Sequence, residues 1–308
     1  VNAVAALLGA LAIALAWPVP VLLARAAWPA RAPGLAVALW QAIALGGALS
    51  MIGCLVVIGT APDGSITGAA MSLLPHLLTG PLPPEFSVVD VAALTLAAGL
   101  TVHLLLNVAT TLVRAERERR RQHQLIEVLS DPMPGEPRTR VLAHPEPLAY
   151  CVPGLRTATV LTEGLVAALS PEELRAVVAH ERTHLDQLHH LVLLSFRAWH
   201  GALPWFPIAN RAERAVTVLT EMLADDGARR ATGAGPLAGA LSRLGSGAEP
   251  GAYADRGGVA PDAAMLEARL ARLEAPTAPL GPWALTGIVI VTVAIVAVPL
   301  TSMLTIIR

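Results

Sequence analysis

Three residues in the middle of the chain have the types and spacing to do metal chemistry. His180, Glu181 and His184 read H-E-x-x-H within A-V-V-A-H-E-R-T-H, residues 176–184. If the segment is helical, positions four apart lie about 40° apart around the axis and share a face. Two imidazoles so placed can hold one zinc ion, and Glu181 beside them can take a proton from an attacking water. Catalytic zinc usually has three protein ligands and one open position. T-E-M-L-A-D-D-G-A, residues 220–228, offers the third, with Glu221 and Asp225 again four apart. Glu221 is the candidate ligand, and Asp225 can orient a ligand imidazole through its ring N–H. The alternative for this acidic pair is a solvated helix face, and the H-E-R-T-H segment upstream weighs against it.

The elements that must position these residues are readable nearby. Ser170, Pro171 and Glu173 form a helix start, with Ser170 as N-cap, Pro171 as first helical residue and Glu173 closing a capping box. A second helix is expected from about Pro207 to Gly233, with Arg229 and Arg230 in its last turn. Upstream, V-L-A-H, A-Y-C-V and T-A-T-V-L-T between residues 138 and 162 read as strands, with a turn at Pro153-Gly154. The last of these, residues 157–162, is expected to be an edge that could pair with an extended peptide. Residues 188–209 are largely apolar and include Trp199, Trp205 and Phe206. They cannot cross a bilayer if His180 and Glu221 share one ion. They read as a helix continuing from His184, then a Pro-containing turn, lying at the interface or against membrane helices. His189 and His190 on this stretch read as surface or packing residues, because neighbours on a helix face different ways; His200 also lies there. Residues 244–262 read as a mobile loop rich in Gly, Ala and Pro. Residues 263–274 read as a helix with Leu266, Leu270 and Leu273 on one stripe.

Composition supplies the setting. Of 308 residues, 54% are hydrophobic and only 15% charged, against about a quarter charged in a soluble domain. The net charge of −1 implies no global electrostatic partner such as nucleic acid. The 22 basic residues are all Arg, which with the Ala, Gly and Pro content points to a GC-rich bacterial genome. Four apolar blocks are long enough to span a bilayer, at residues 3–23, 35–58, 88–113 and 283–307. The first lacks a basic start and leads through an Arg-bearing hairpin into the second, so it reads as a span and not a signal peptide. Arg25 and Arg31 mark the first connection, and five arginines between Arg114 and Arg121 follow the third block. The second connection carries Asp63 and Glu85 and no basic residue. By the positive-inside rule the region from Arg114 to about Pro282 is expected in the cytoplasm. His103 and Asn107, inside the third block, could line a polar path but more often bond to a neighbouring helix. Cys54 and Cys151 lie in the apolar and polar halves, and a disulfide between them is not expected.

The chain resembles the BlaR/MecR-type membrane metallopeptidases. The residues that carry this are V-P-G before T-A-T-V-L-T-E-G-L, S-P-E-E-L-R-A-V-V-A-H-E-R-T-H, L-P-W-F-P and E-M-L-A-D-D, together with the four-span layout. It is more distantly similar to the HtpX/Ste24-type membrane proteases, which share H-E-x-x-H followed by E-x-x-x-D. The resemblance implies zinc gluzincin chemistry on the cytoplasmic side. His180, His184 and Glu221 are then the ligands of one Zn2+ ion, Glu181 the base and Asp225 the outer acid. It also implies a cytoplasmic protein substrate, often a repressor, or the protease itself. The antibiotic sensors carry a penicillin-binding domain after their last span. This sequence runs to Arg308 just past its fourth block, so a signal is expected through the spans, the outer loop or another protein.

The expected fold is mainly α. It is a four-span helical membrane protein whose α+β metallopeptidase domain, residues 114–282, lies in the cytoplasm between membrane regions 1–113 and 283–308. The expected function is a zinc metalloendopeptidase of the bacterial cell membrane acting in signal transduction. The rivals are an HtpX-like quality-control protease, a non-enzymatic membrane signalling module and, least of all, a transporter. A structural zinc site would have no need of Glu181 and would usually be closed by a fourth ligand.

Overall fold

An apolar run of some twenty residues satisfies its backbone hydrogen bonds internally only as a helix, and the apolar blocks are helical. The computed structural model describes residues 2–76, 80–136, 138–154, 157–204, 207–245, 263–275 and 278–307. Helices α1 (Asn2–Ala16) and α2 (Pro18–Arg25) form the first block, divided where Pro18 follows Trp17. Helix α3 (Pro33–Gly59) is the second, and a short α4 (Ile66–Leu73) lies in the next connection. Helix α5 (Val88–Leu129) is the third and α12 (Pro282–Ile307) the fourth. Among the described residues, four stretches are long and apolar enough to cross a membrane: Ala3–Arg25, Pro33–Gly59, Val88–Leu129 and Pro282–Leu304. Their outer faces carry exposed side chains such as Ile13, Leu105, Ile290 and Val293, the surface a helix turns toward lipid. Gly46 of α3 lets α12 approach closely: a methyl group there would meet the Ile295 carbonyl oxygen at 2.6 Å.

Helix α5 does not stop where its apolar block ends. It runs unbroken through residue 113 to Leu129, 42 residues in all, or roughly 63 Å at 1.5 Å per residue. The arginine run is its continuation, and Glu116 pairs with both Arg119 and Arg120 one turn on. At its far end the chain enters a four-stranded sheet of β1 (Ser130–Pro132), β2 (Thr139–Leu142), β3 (Ala149–Val152) and β4 (Ala158–Thr162). The strand order is β1-β2-β4-β3, with β2 and β4 parallel and the other pairs antiparallel. The expectation for residues 157–162 is therefore corrected. β4 is an inner strand, buried along almost its whole length, because β2 and β3 close both its sides; the edges are β1 and β3.

A short α6 (Glu163–Ala168) leads to α7 (Pro171–Asp186), α8 (His189–Ala202), α9 (Pro207–Thr232), α10 (Ala234–Gly245) and α11 (Ala263–Glu274). The capping box at Ser170 and Glu173 is formed as expected, with Pro171 in the first turn. The helix expected to continue beyond His184 instead breaks. Leu188 takes a left-handed backbone, φ 53°, which ends α7 and starts α8 in a new direction. Trp205, Phe206 and residues 246–262 lie outside the described residues.

The two halves share one core. Leu15, Trp40 and Ile43 from α1 and α3, and Ile295 from α12, cluster with Phe196 of α8 and Val216, Leu219 and Met222 of α9. The helix carrying Glu221 is thus packed directly against the membrane-capable helices. His103 and Asn107 of α5 bond to the Ala202 and Ala198 carbonyl oxygens of α8, so the helix–helix reading of that pair holds. Arg31 donates to the Ala278 and Pro279 carbonyl oxygens, which puts the α2–α3 hairpin and the start of α12 at one end of the bundle. Cys54 and Cys151 are both free.

Candidate metal centre

His180 and His184 project from one face of α7, and Glu221 reaches them from α9. Close helix approach makes this possible at Gly227, where an added methyl group would lie 2.1 Å from Thr183 Oγ1 and 2.8 Å from its Cβ. His180 Nε2 is 3.2 Å from His184 Nε2. Glu221 presents Oε2 3.3 Å from His180 Nε2 and Oε1 3.3 Å from His184 Nε2. Ligands held about 2.0–2.1 Å from a tetrahedral ion stand ~3.3 Å apart, so the three side chains fit one small divalent cation. Among the described residues this is the group of His, Cys, Asp and Glu side chains that could hold a metal. Two imidazoles and a carboxylate form a donor set that suits zinc among the divalent ions.

The carboxylates around the imidazoles are held ionised by a residue the sequence did not single out. Arg269 of α11, only 8% exposed, donates from Nε and Nη2 to the two oxygens of Asp225 at 2.8 and 2.7 Å. Its Nη1 lies 3.1 Å from Glu221 Oε2. Burial would push both carboxyl groups up, but the Arg269 guanidinium outweighs it and their pKa values fall, that of Glu221 far below the usual range. Asp225, 1% exposed, presents Oδ1 3.0 Å from His180 Nδ1. Burial would depress His180; its contacts with Asp225 and Glu221 prevail and lift its pKa to about 9. One turn along α11, Arg272 clasps Asp226 at 2.8 and 2.7 Å. The leucine stripe expected on this helix is real at Leu273, which is buried, but Arg269 and Arg272 share its packed face. Their i, i+3 spacing opposite the adjacent Asp225 and Asp226 was the available signal.

His184 has a partner of its own. Its Nδ1 is 2.9 Å from Nδ1 of His189, and His189 Nε2 is 3.1 Å from Gln187 Oε1. His189 is a packing residue, 3% exposed. Burial, followed by the His184 charge, pushes its pKa down to about 4. His190, next along, points elsewhere and is half-buried.

Glu181, His180, His184 and Glu221 line a cavity of about 660 Å³ together with Cys151, Leu193 and Met265. β3 forms one wall through Ala149, Tyr150 and Cys151. Burial pushes the Cys151 thiol up, and the negative charge of Glu181 beside it adds to this, so it stays protonated.

Residues 113–259 match peptidase family M48. The match supports the M48 membrane metallopeptidase family and does not separate the BlaR/MecR type from the HtpX/Ste24 type. It indicates a metallopeptidase, a hydrolase, and the four long apolar helices fit a membrane-associated protein. No curated protein and no solved structure gave a significant match.

Proposed function

We propose that this chain is a zinc-dependent endopeptidase of the bacterial cell membrane that cleaves a cytoplasmic protein substrate. The observation that carries the reading is the convergence of His180, His184 and Glu221, with donor atoms 3.2–3.3 Å apart, in a cavity that also contains Glu181. The family match over the same region supports it. In this reading His180, His184 and Glu221 hold one zinc ion. When bound, zinc supplies Lewis acidity that polarises a scissile carbonyl and acidifies water. Glu181 takes the proton of the attacking water and later returns it to the leaving amine. Asp225 holds the His180 ring with Nε2 toward the ion. β3, residues 149–152, an outer strand of the sheet that lines the cavity, aligns an extended substrate by main-chain hydrogen bonds.

The sidedness rests on arginine placement. The α2–α3 hairpin with Arg25 and Arg31, the arginine run of α5 and the catalytic helices belong to one end of the bundle, and the positive-inside rule makes that end cytoplasmic. Membrane regions 1–113 and 283–308 then frame the peptidase unit, 114–282. A repressor-type regulator, or the chain itself, is the substrate class proposed for a role in signalling. The test uses the purified full chain in detergent micelles with an unstructured protein as substrate. Cleavage should stop on chelation and return with added zinc. Cleavage that persists in excess chelator overturns the proposal.

A further inference from the structure

We infer that His189 is a positioning residue for the metal site, fixing the tautomer and direction of the His184 imidazole through a histidine-to-histidine hydrogen bond. The inference rests on the reading of His184 as a metal ligand. A ligand imidazole works only if its unprotonated nitrogen points at the ion, and the bond made by the other nitrogen decides that. For His180 the other nitrogen faces a carboxylate, Asp225. For His184 it faces Nδ1 of His189 at 2.9 Å.

His184 can bind an ion through Nε2 only if its own proton sits on Nδ1, and His189 Nδ1 is then the acceptor. His189 in turn carries its proton on Nε2, which lies 3.1 Å from Gln187 Oε1, an acceptor. A neutral imidazole protonated there is an acceptor at Nδ1. His184 must then donate from its own Nδ1, which leaves the lone pair of Nε2 facing His180 Nε2 and Glu221 Oε1. The left-handed turn at Leu188 is what returns His189 over the preceding helix. α8 is also tied elsewhere along its length. Gln41 of α3 and Ser195 of α8 are bonded at 2.9 Å. Farther on, His103 of α5 bonds to the Ala202 carbonyl oxygen at 3.1 Å. The contacts of α8 with α3 and α5 therefore bear on the orientation of a ligand five residues before that helix begins.

Asparagine and glutamine substitutions separate this role from packing. Asn places its amide oxygen near the position of Nδ1 and can accept from His184; Gln reaches to the position of Nε2 and leaves His184 without that acceptor. Zinc affinity of the full-length wild type, His189→Asn and His189→Gln in detergent is measured by competition with a chromophoric chelator. The visible spectrum of each Co2+-loaded protein is recorded alongside. The expected result is a loss of about 10–100-fold in affinity for His189→Gln with an altered Co2+ spectrum. His189→Asn should stay close to wild type in both. Two variants equal to one another in affinity and in spectrum overturn the inference. A wild type that binds no ion at all overturns the reading of the site itself, which is a separate outcome.

Discussion

Nδ1 of His180 lies 3.0 Å from Oδ1 of Asp225, a residue 45 positions away on another helix. With Nδ1 turned to Asp225, Nε2 of His180 is left to face Glu221. It also joins the candidate metal ligands to a buried arginine, since both oxygens of the same carboxylate are taken by Arg269.

Removing that carboxylate should cost the site its ion. Asp225→Ala frees the His180 ring and leaves Arg269 without its main partner. The expected loss of zinc affinity is about 10–100-fold, read by chelator competition. Wild-type affinity in this variant would contradict the orienting role.

Arg269 itself should matter for stability before it matters for catalysis. Arg269→Leu strips the guanidinium from the buried Asp225 and the half-buried Glu221, leaving them His180 as cationic partner, at a cost of up to about 3–5 kcal/mol. Chemical unfolding in detergent should show the loss. Arg269→Lys keeps the charge without the fork and should fall between the two. A leucine variant as stable as wild type would remove Arg269 from the account.

Metal binding should release a proton. The metal-free protein holds His180 at a pKa of about 9, so at neutral pH the ring is protonated and a cation must displace that proton. Apparent affinity should rise with pH, by up to about tenfold per unit between pH 6 and 8, and flatten above pH 9. Calorimetry in buffers of different ionisation enthalpy should count about one proton per ion. An affinity that is level from pH 6 to 8 would contradict this.

The approach of α7 to α9 should be intolerant of a single methyl group. Gly227→Ala places Cβ against Thr183, whose branched side chain on α7 has little freedom to withdraw. The helices must part, and His180 and His184 lose register with Glu221. Metal content should drop in a protein that remains helical by circular dichroism. The double variant Gly227→Ala with Thr183→Ala should recover part of it.

Much of this was legible in the sequence because its signals are local. The Ser170 capping box, the four apolar blocks and the helix from Pro207 are written in adjacent residues, and two pairs at i, i+4 mark the helix faces that carry His180, His184 and Glu221. What was not legible depends on long-range contact. Arg269 lies 44 residues from Asp225 and looks like the solvated side of a leucine helix until the partner helix is placed. The inner position of β4 follows from a parallel pairing with β2, which strand patterning does not specify. The break at Leu188 runs against local propensity, since a leucine there would ordinarily continue the helix. His189 gains its partner from that break. The unbroken passage of α5 beyond residue 113 was hidden by the change from apolar to charged side chains, which alters the surroundings of a helix and not its backbone.

In the proposed mechanism three side chains hold the ion and a fourth, Glu181, works on water. Zinc content and cleavage rate of purified Glu181→Gln, taken on the same preparation, test it most directly. The expected result is one zinc per chain, as in wild type, with cleavage abolished. Cleavage at the wild-type rate, or a variant that no longer holds zinc, would contradict it.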